Sequence, residues 1–167
     1  SRGLGDVYKR QHVYSSGGHG TITVEQAVMN SCNPYMIHLA LELGNEKFAA
    51  YQSLFGFGKT TGIDLPGETM GIVYGNKMTT IDAACNSFGQ TINVNMMQMM
   101  SAYCSIINGG MLYQPHIVKR IESANGEVVK ENKATLVRQT VTMSTSKLLR
   151  RYLKLSLIHI SEPTRPY

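Results

Sequence analysis

Apolar residues recur at helical spacing through most of the chain and alternate only around residues 117–130, which predicts a helix-rich chain with one local pair of strands. Thr23-Val24-Glu25-Gln26 reads as a capping box: Thr23 caps, and Gln26 reaches back from three residues on. The short helix it opens turns Val24, Ala27 and Val28 inward. Pro34 suits the first position of a second helix, where its missing N–H is no loss. That helix runs to about Leu43 and stops at Gly44. A third starts at Asn45, with Phe48, Tyr51, Leu54 and Phe55 as its inner stripe, and ends at Gly56 and Gly58.

Beyond it the pattern is shorter-ranged. Ile63-Asp64-Leu65 is extended, and Pro66-Gly67 suits the centre of a type II turn. Residues 70–78 carry no pattern and read as loop, as does the Ser/Gly-rich stretch from His12 to Gly20. Thr80 to about Ser87 reads as a short helix. Asn95-Met96-Met97-Gln98 is a second capping-type start, and its helix runs to Asn108 with Gly109 beyond. Met96, Met97, Met99, Met100, Tyr103 and Ile107 give this helix a bulky face, expected to pack into the core. Ile117 to Glu122 and Glu127 to Lys130 read as strands joined through Asn125-Gly126, a strong hairpin signal. A helix near Thr145 to Lys154 follows.

Composition narrows the picture only a little. The chain has 167 residues, enough for one domain with a core. Its formal charge of +5 falls to +3 once Arg2, Lys9, Arg10, Asp6, Arg165 and Glu162 of the two ends are set aside. No basic block suggests nucleic acid. Cys32, Cys85 and Cys104 form no C-x-x-C, so a zinc or redox site has little support, and Cys85 and Cys104 are expected to be buried thiols. No apolar run approaches the roughly 20 residues a membrane-spanning helix needs. A signal-peptide pattern is missing too, which carries no information if the chain is a piece of a longer gene.

The ends read as non-native. Asp6-Val7-Tyr8-Lys9-Arg10-Gln11 is the translation of GAT GTG TAT AAG AGA CAG. Leu155-Ser156-Leu157-Ile158-His159-Ile160 is the translation of its reverse complement. Both strings match a transposon-tagmentation sequencing adapter. Residues 1–11 and 155–167 are therefore expected to be adapter-derived tails that pack poorly, and residues 12–154 to be part of one domain.

The stretch with most chemical interest is Asn30-Ser31-Cys32-Asn33-Pro34, a tight corner between two predicted helices. A rigid corner can aim two short polar side chains, Ser31 and Asn33, into one cleft. The plainer alternative is structural, with Asn33 as the N-cap before Pro34.

The neighbouring blocks favour the cleft. Gly18-His19-Gly20-Thr21-Ile22-Thr23-Val24-Glu25-Gln26-Ala27 through Leu43-Gly44 resembles the transpeptidase domain of class B penicillin-binding proteins. So do Phe55 through Glu68, Ser87-Phe88-Gly89-Gln90, Asn108-Gly109-Gly110-Met111 and Gln114-Pro115-His116-Ile117-Val118, in the family's order and spacing. The resemblance covers about residues 18–153.

That resemblance implies an α+β fold: this chain would be a helix-rich fragment of the penicillin-binding protein/serine β-lactamase transpeptidase fold, an antiparallel sheet flanked by helices. It implies a parent DD-transpeptidase that cross-links peptidoglycan by an acyl-serine route, with no metal or cofactor. The family works through Ser-x-x-Lys, Ser-x-Asn and Lys-Ser/Thr-Gly. Here Ser31-Cys32-Asn33 is the Ser-x-Asn element. Ser31 would relay a proton between the nucleophile's region and the departing amine. Asn33 would hydrogen-bond the substrate backbone and the motif lysine.

Implied ligands are peptidoglycan stem peptides and β-lactams. Other cell-wall synthesis proteins are implied partners of the parent; nucleic acid is not. The implied location is the extracytoplasmic face of the bacterial cytoplasmic membrane, held by an anchor outside this chain. A β-lactam-sensing or β-lactam-hydrolysing domain of the same fold is the alternative, as is a non-catalytic module that binds stem peptides.

Two lookalikes do not qualify. Ser144-Thr145-Ser146-Lys147 spells Ser-x-x-Lys but lies downstream of Ser-x-Asn, where the family has it upstream; Ser144 is expected to be an N-cap. Lys59-Thr60-Thr61-Gly62 has one residue too many for Lys-Thr-Gly. Gly58-Lys59-Thr60 fails as a P-loop, with Ser53 where the first Gly should stand. His19 has no partner histidine spaced for a metal. The chain thus carries one of three catalytic elements and is expected to be inactive alone.

Overall fold

The computed structural model describes residues 20–160, with side chains as far as residue 155. The expectations for residues 1–11, for the loop before Gly20 and for His19 lie outside them. Among the described residues six α-helices run in order: α1 (Val24–Met29), α2 (Asn33–Leu43), α3 (Asn45–Leu54), α4 (Thr80–Asn86), α5 (Met96–Ile107) and α6 (Met143–Ile160). The described strands are β1 (Met111–Tyr113), β2 (Arg120–Glu122), β3 (Val128–Glu131) and β4 (Leu136–Gln139). A single 3-10 turn, Gly75–Lys77, interrupts the stretch expected to be loop. The expected α+β class holds.

The capping signals set the helix starts as read. The Thr23 hydroxyl accepts from the Gln26 N–H and the Gln26 side chain accepts from the Thr23 N–H, and Asn95 with Gln98 repeats this at α5. Thr79 and Asp82 form a third box at α4, unnoticed in the sequence because Asp stands where Glu or Gln is usual. Gly44 ends α2 at φ 80°.

Two compact units form among the described residues: 20–49, 74–92 and 148–160 in the first, and 50–73 and 93–147 in the second. In the first, α2 packs against α4, and Ala49, Met78 and Ala83 form a small core with Phe48 against it. The Asn45 side chain donates to the Met78 carbonyl at 3.2 Å. Arg151 of α6 pairs with Glu25 of α1 at 3.3 Å.

In the second unit α5 packs against β1, and β1 pairs antiparallel with β4. Strands β2 and β3 form the predicted hairpin, shorter than expected. Gly126 takes φ 83° in its turn, and the Ser123 N–H donates to the Glu127 carbonyl. The β1–β4 pair was not legible in the sequence. Its strands are three and four residues long, and no turn signal links them.

Several expected core positions face outward. On α5, Met96 is 77% exposed, and Met99, Met100, Tyr103 and Ile107 are exposed too. The helix instead buries Gln98, Ala102 and Ser105. The reason is local. The Gln98 side chain donates to the carbonyls of Lys59 (2.6 Å) and Met70 (2.9 Å) and accepts from the Asn95 N–H (2.9 Å). A fully paired amide is worth burying, and small neighbours let the backbone come close to β1.

Helix α3 does the same, burying Ala49 and Gln52 while Tyr51 is 48% exposed. Val24 of α1 is also exposed, beside a fully buried Ala27. Of the cysteines, Cys32 is the buried one; Cys85 is half-buried and Cys104 exposed. Helix α6, expected to close near Lys154, continues through Ile160.

Candidate active-site corner

Helix α1 ends in a complete Schellman motif. The Cys32 N–H bonds the Ala27 carbonyl at 2.9 Å and the Ser31 N–H bonds the Val28 carbonyl at 3.2 Å. This motif demands a left-handed residue after the cap, normally Gly. Here it is Ser31, at φ 48°. A left-handed conformation costs an L-residue about 1–2 kcal/mol. The chain turns sharply there and Cys32, 8% exposed, anchors the corner from beneath.

Helix α2 then starts at Asn33. Its cap position belongs to Cys32, and no side-chain cap bond is made. Asn33 is thus the first residue inside the helix, one past the cap position, and Pro34 sits in the first turn. Ser31 is exposed and Asn33 half-buried, two residues apart on either side of a buried one. A hydroxyl that can donate and accept lies beside an amide that can do both.

The other quoted blocks have structural roles. Glu68 binds back across the Thr61–Glu68 loop: its carboxylate accepts from the Thr61 N–H (2.8 Å), the Thr61 hydroxyl (2.7 Å) and the Gly62 N–H (3.1 Å). Burial pushes its pKa up, but these donors and the Asn95 amide outweigh that and hold it below the usual range. Asp64 accepts from the N–H groups of Ile117 (2.8 Å) and Val118 (2.9 Å), which lower its pKa. The Gln114 side chain donates to the Gly62 carbonyl at 2.6 Å. So Asp64-Leu65-Pro66-Gly67-Glu68 and Gln114-Pro115-His116-Ile117-Val118 are two halves of one clamp. The same loop disposes of Lys59-Thr60-Thr61-Gly62 as a substrate strand, since Thr61 is committed to Glu68.

In the downstream Ser-x-x-Lys lookalike, the Ser144 hydroxyl lies 2.8 Å from that of Thr142, and Lys147 is exposed. Ser144 is not the expected N-cap: Thr142 is, accepting from the Thr145 N–H at 3.2 Å. Among the described residues no three His, Cys, Asp or Glu side chains gather as a metal site.

The family model of the penicillin-binding protein transpeptidase domain matches residues 4–156. The chain belongs to this family. It is 37% identical over 147 residues to stage V sporulation protein D of Bacillus subtilis, covering 87% of this chain and 23% of that protein. It is 30% identical to the peptidoglycan D,D-transpeptidase MrdA of Acinetobacter baumannii, over 75% of this chain and 20% of that one.

Among solved structures, penicillin-binding protein 3 of Mycobacterium tuberculosis superposes with a TM-score of 0.75 at 25% identity, covering 84% of this chain and 32% of that one. That protein has also been solved with aztreonam and with ampicillin. Penicillin-binding protein 2B of Streptococcus pneumoniae gives 0.68 at 27% identity, over 85% of this chain and 26% of that one. The chain thus spans about a quarter of the length of the relatives it matches. In this penicillin-binding protein segment, the sequence blocks read as family signatures are the ones the structure uses to hold its loops.

Proposed function

We propose that the parent of this segment is a class B peptidoglycan DD-transpeptidase. It works outside the cytoplasmic membrane by an acyl-serine route, and Ser31 and Asn33 belong to its active site. One observation carries the site assignment: Ser31 sits exposed in a left-handed corner at φ 48°, two residues from Asn33. Strained backbone of this kind gathers at functional sites. Ser31 then relays the proton between the nucleophile's region and the departing amine. Asn33 holds the substrate backbone and the motif lysine.

β-Lactams take the place of the stem peptide. We take residues 1–11 and 155–167 as adapter-derived tails and residues 12–154 as the partial domain. The exposed apolar face of α5 fits a domain lacking its other elements. The isolated chain is inactive on this reading, because of the three sequence elements the family works through it carries only Ser-x-Asn in the family's place.

The test is a fluorescent-penicillin gel on the chain and on the completed parent domain. The domain labels and the chain does not. Label on the isolated chain that disappears in Ser144→Ala would refute the rejection of that serine. Unchanged labelling of a folded Asn33→Ala domain would remove Asn33 from the site.

A further inference from the structure

The second unit holds a buried donor without an acceptor. Arg138 of β4 stands directly opposite Leu112 of β1, and opposed residues turn their side chains to the same face. Leu112 is 5% exposed, so the strand pairing carries the Arg138 side chain inward beside it. There the Arg138 Nε is shut off from solvent and meets no hydrogen-bond acceptor among the described residues. Arginine has five N–H donors and no acceptor atom, so only an incoming acceptor can satisfy it. Native interiors rarely leave such a group alone.

A cavity of about 90 Å³ lies against this side chain. Lys59, Thr60 and Ser101 line it with Arg138, and Phe55 and Leu112 give it apolar wall. Lys59 and Thr60 are exposed, so the cavity can be entered from solvent. Its lining has two cations and no Asp or Glu. Glu68, on the same loop as Thr61, spends its carboxylate on Thr61 and Gly62. Gln98, also in the lining, spends its amide on the Lys59 and Met70 carbonyls and the Asn95 N–H. The positive charge is therefore left for an incoming anion. A dry cavity that takes benzene measures about 150 Å³, so this one takes a head group on a stem of two or three carbons.

We propose that this cavity binds a carboxylate on a short apolar stem, held by the Arg138 guanidinium and drawn in by Lys59. The planar fork of arginine matches the two oxygens of a carboxylate, and the Phe55 and Leu112 walls match the stem. Two sources carry that chemistry: a free short-chain monocarboxylate, or an Asp or Glu side chain of the parent protein outside this segment. The site belongs to the second unit and does not depend on the transpeptidase reading.

The test is propionate binding by calorimetry at constant ionic strength, on the 167-residue chain and on the full-length parent. Propionamide, of the same shape without the charge, is the control. With a free ligand as the source, the parent binds propionate saturably and does not bind propionamide. Arg138→Met then weakens binding by at least about tenfold. Arg138→Lys weakens it nearly as much, because an ammonium lacks the fork, and Lys59→Met weakens it about two- to fivefold. With the parent's own side chain as the source, the parent does not bind propionate. Its crystal structure then shows an Asp or Glu oxygen within about 3 Å of the Arg138 Nε, while the 167-residue chain binds propionate. Circular dichroism checks that each variant is folded; if Arg138→Met is not, Arg138→Lys makes the comparison. A parent that neither binds propionate nor shows a carboxylate at Arg138 overturns the proposal. So does propionamide binding as tight as propionate, or undiminished propionate binding in the folded Arg138 variant.

Discussion

The ends of α1 and α3 are built on one plan and filled by different residues. At α3 the Gly56 N–H bonds the Ser53 carbonyl and the Phe57 N–H bonds the Gln52 carbonyl, with Gly56 at φ 92°. At α1 the same two bonds are made around Ser31. A Cβ on Gly56 would meet only a Leu112 methyl at 3.9 Å, so space does not force the glycine. Backbone preference favours glycine at both corners; only the corner at α1 carries a hydroxyl, the group to which the proposed function gives a role.

The largest effect should come from removing the Ser31 hydroxyl or the Asn33 amide. In the completed domain, Ser31→Ala and Asn33→Ala should each slow acylation by about 10²–10⁴-fold, the scale of one proton-transfer or positioning group. Labelling kinetics check this, and a folded Ser31→Ala domain that acylates normally would erase the distinction between the corners.

Next comes a glycine that is crowded as well as left-handed. A Cβ on Gly110 would run into the Val141 carbonyl. Gly110→Ala should therefore destabilise by about 3–5 kcal/mol, from backbone strain and clash together. Chemical denaturation would show it, and a loss no larger than that of Gly56→Ala would mean the clash relaxes freely.

The exchange experiments are smaller and opposite in sign. Gly56→Ser should cost about 1–2 kcal/mol. Ser31→Gly should gain about 0.5–1 kcal/mol, while abolishing whatever the hydroxyl contributes. A stability loss in Ser31→Gly would show that the Ser31 side chain holds the corner together.

The pH dependence is the mildest. Asp64 and Glu68 have folded pKa values below their ordinary ones. They add stability above the unfolded carboxylate range and lose it as pH falls through the folded values. The melting temperature should drop in acid below about pH 4, the ordinary carboxylate range, and Asp64→Asn with Glu68→Gln should flatten that slope. An equal slope in the double variant would assign acid sensitivity elsewhere, with Asp82 the first place to look, since the Thr79 hydroxyl and N–H lower its pKa as well.

What the sequence could say depended on distance along the chain. Capping boxes, the glycine stops and the Asn125-Gly126 hairpin involve neighbours, and were legible. Strands β1 and β4 pair across more than twenty residues, and their alternation is too short to register. The methionine face misled because apolar volume was taken as the sign of burial, whereas Gln98 is buried by three hydrogen bonds that no periodicity encodes. At the corner, Ser31 and Asn33 could be named from family blocks, but the left-handed Ser31 could not. The left-handed Thr91, at φ 58°, was invisible for the opposite reason: a β-branched residue is the one least suited to that conformation.

The Asp64 clamp has a kinetic side. Its two bonds reach Ile117 and Val118, 53 and 54 residues away, while the hairpin just beyond is sealed by neighbours. Closing so long a loop must wait until both ends are ordered. Asp64→Asn should therefore speed unfolding and leave the folding rate nearly untouched, which makes Asp64 a late latch on a hairpin that forms without it.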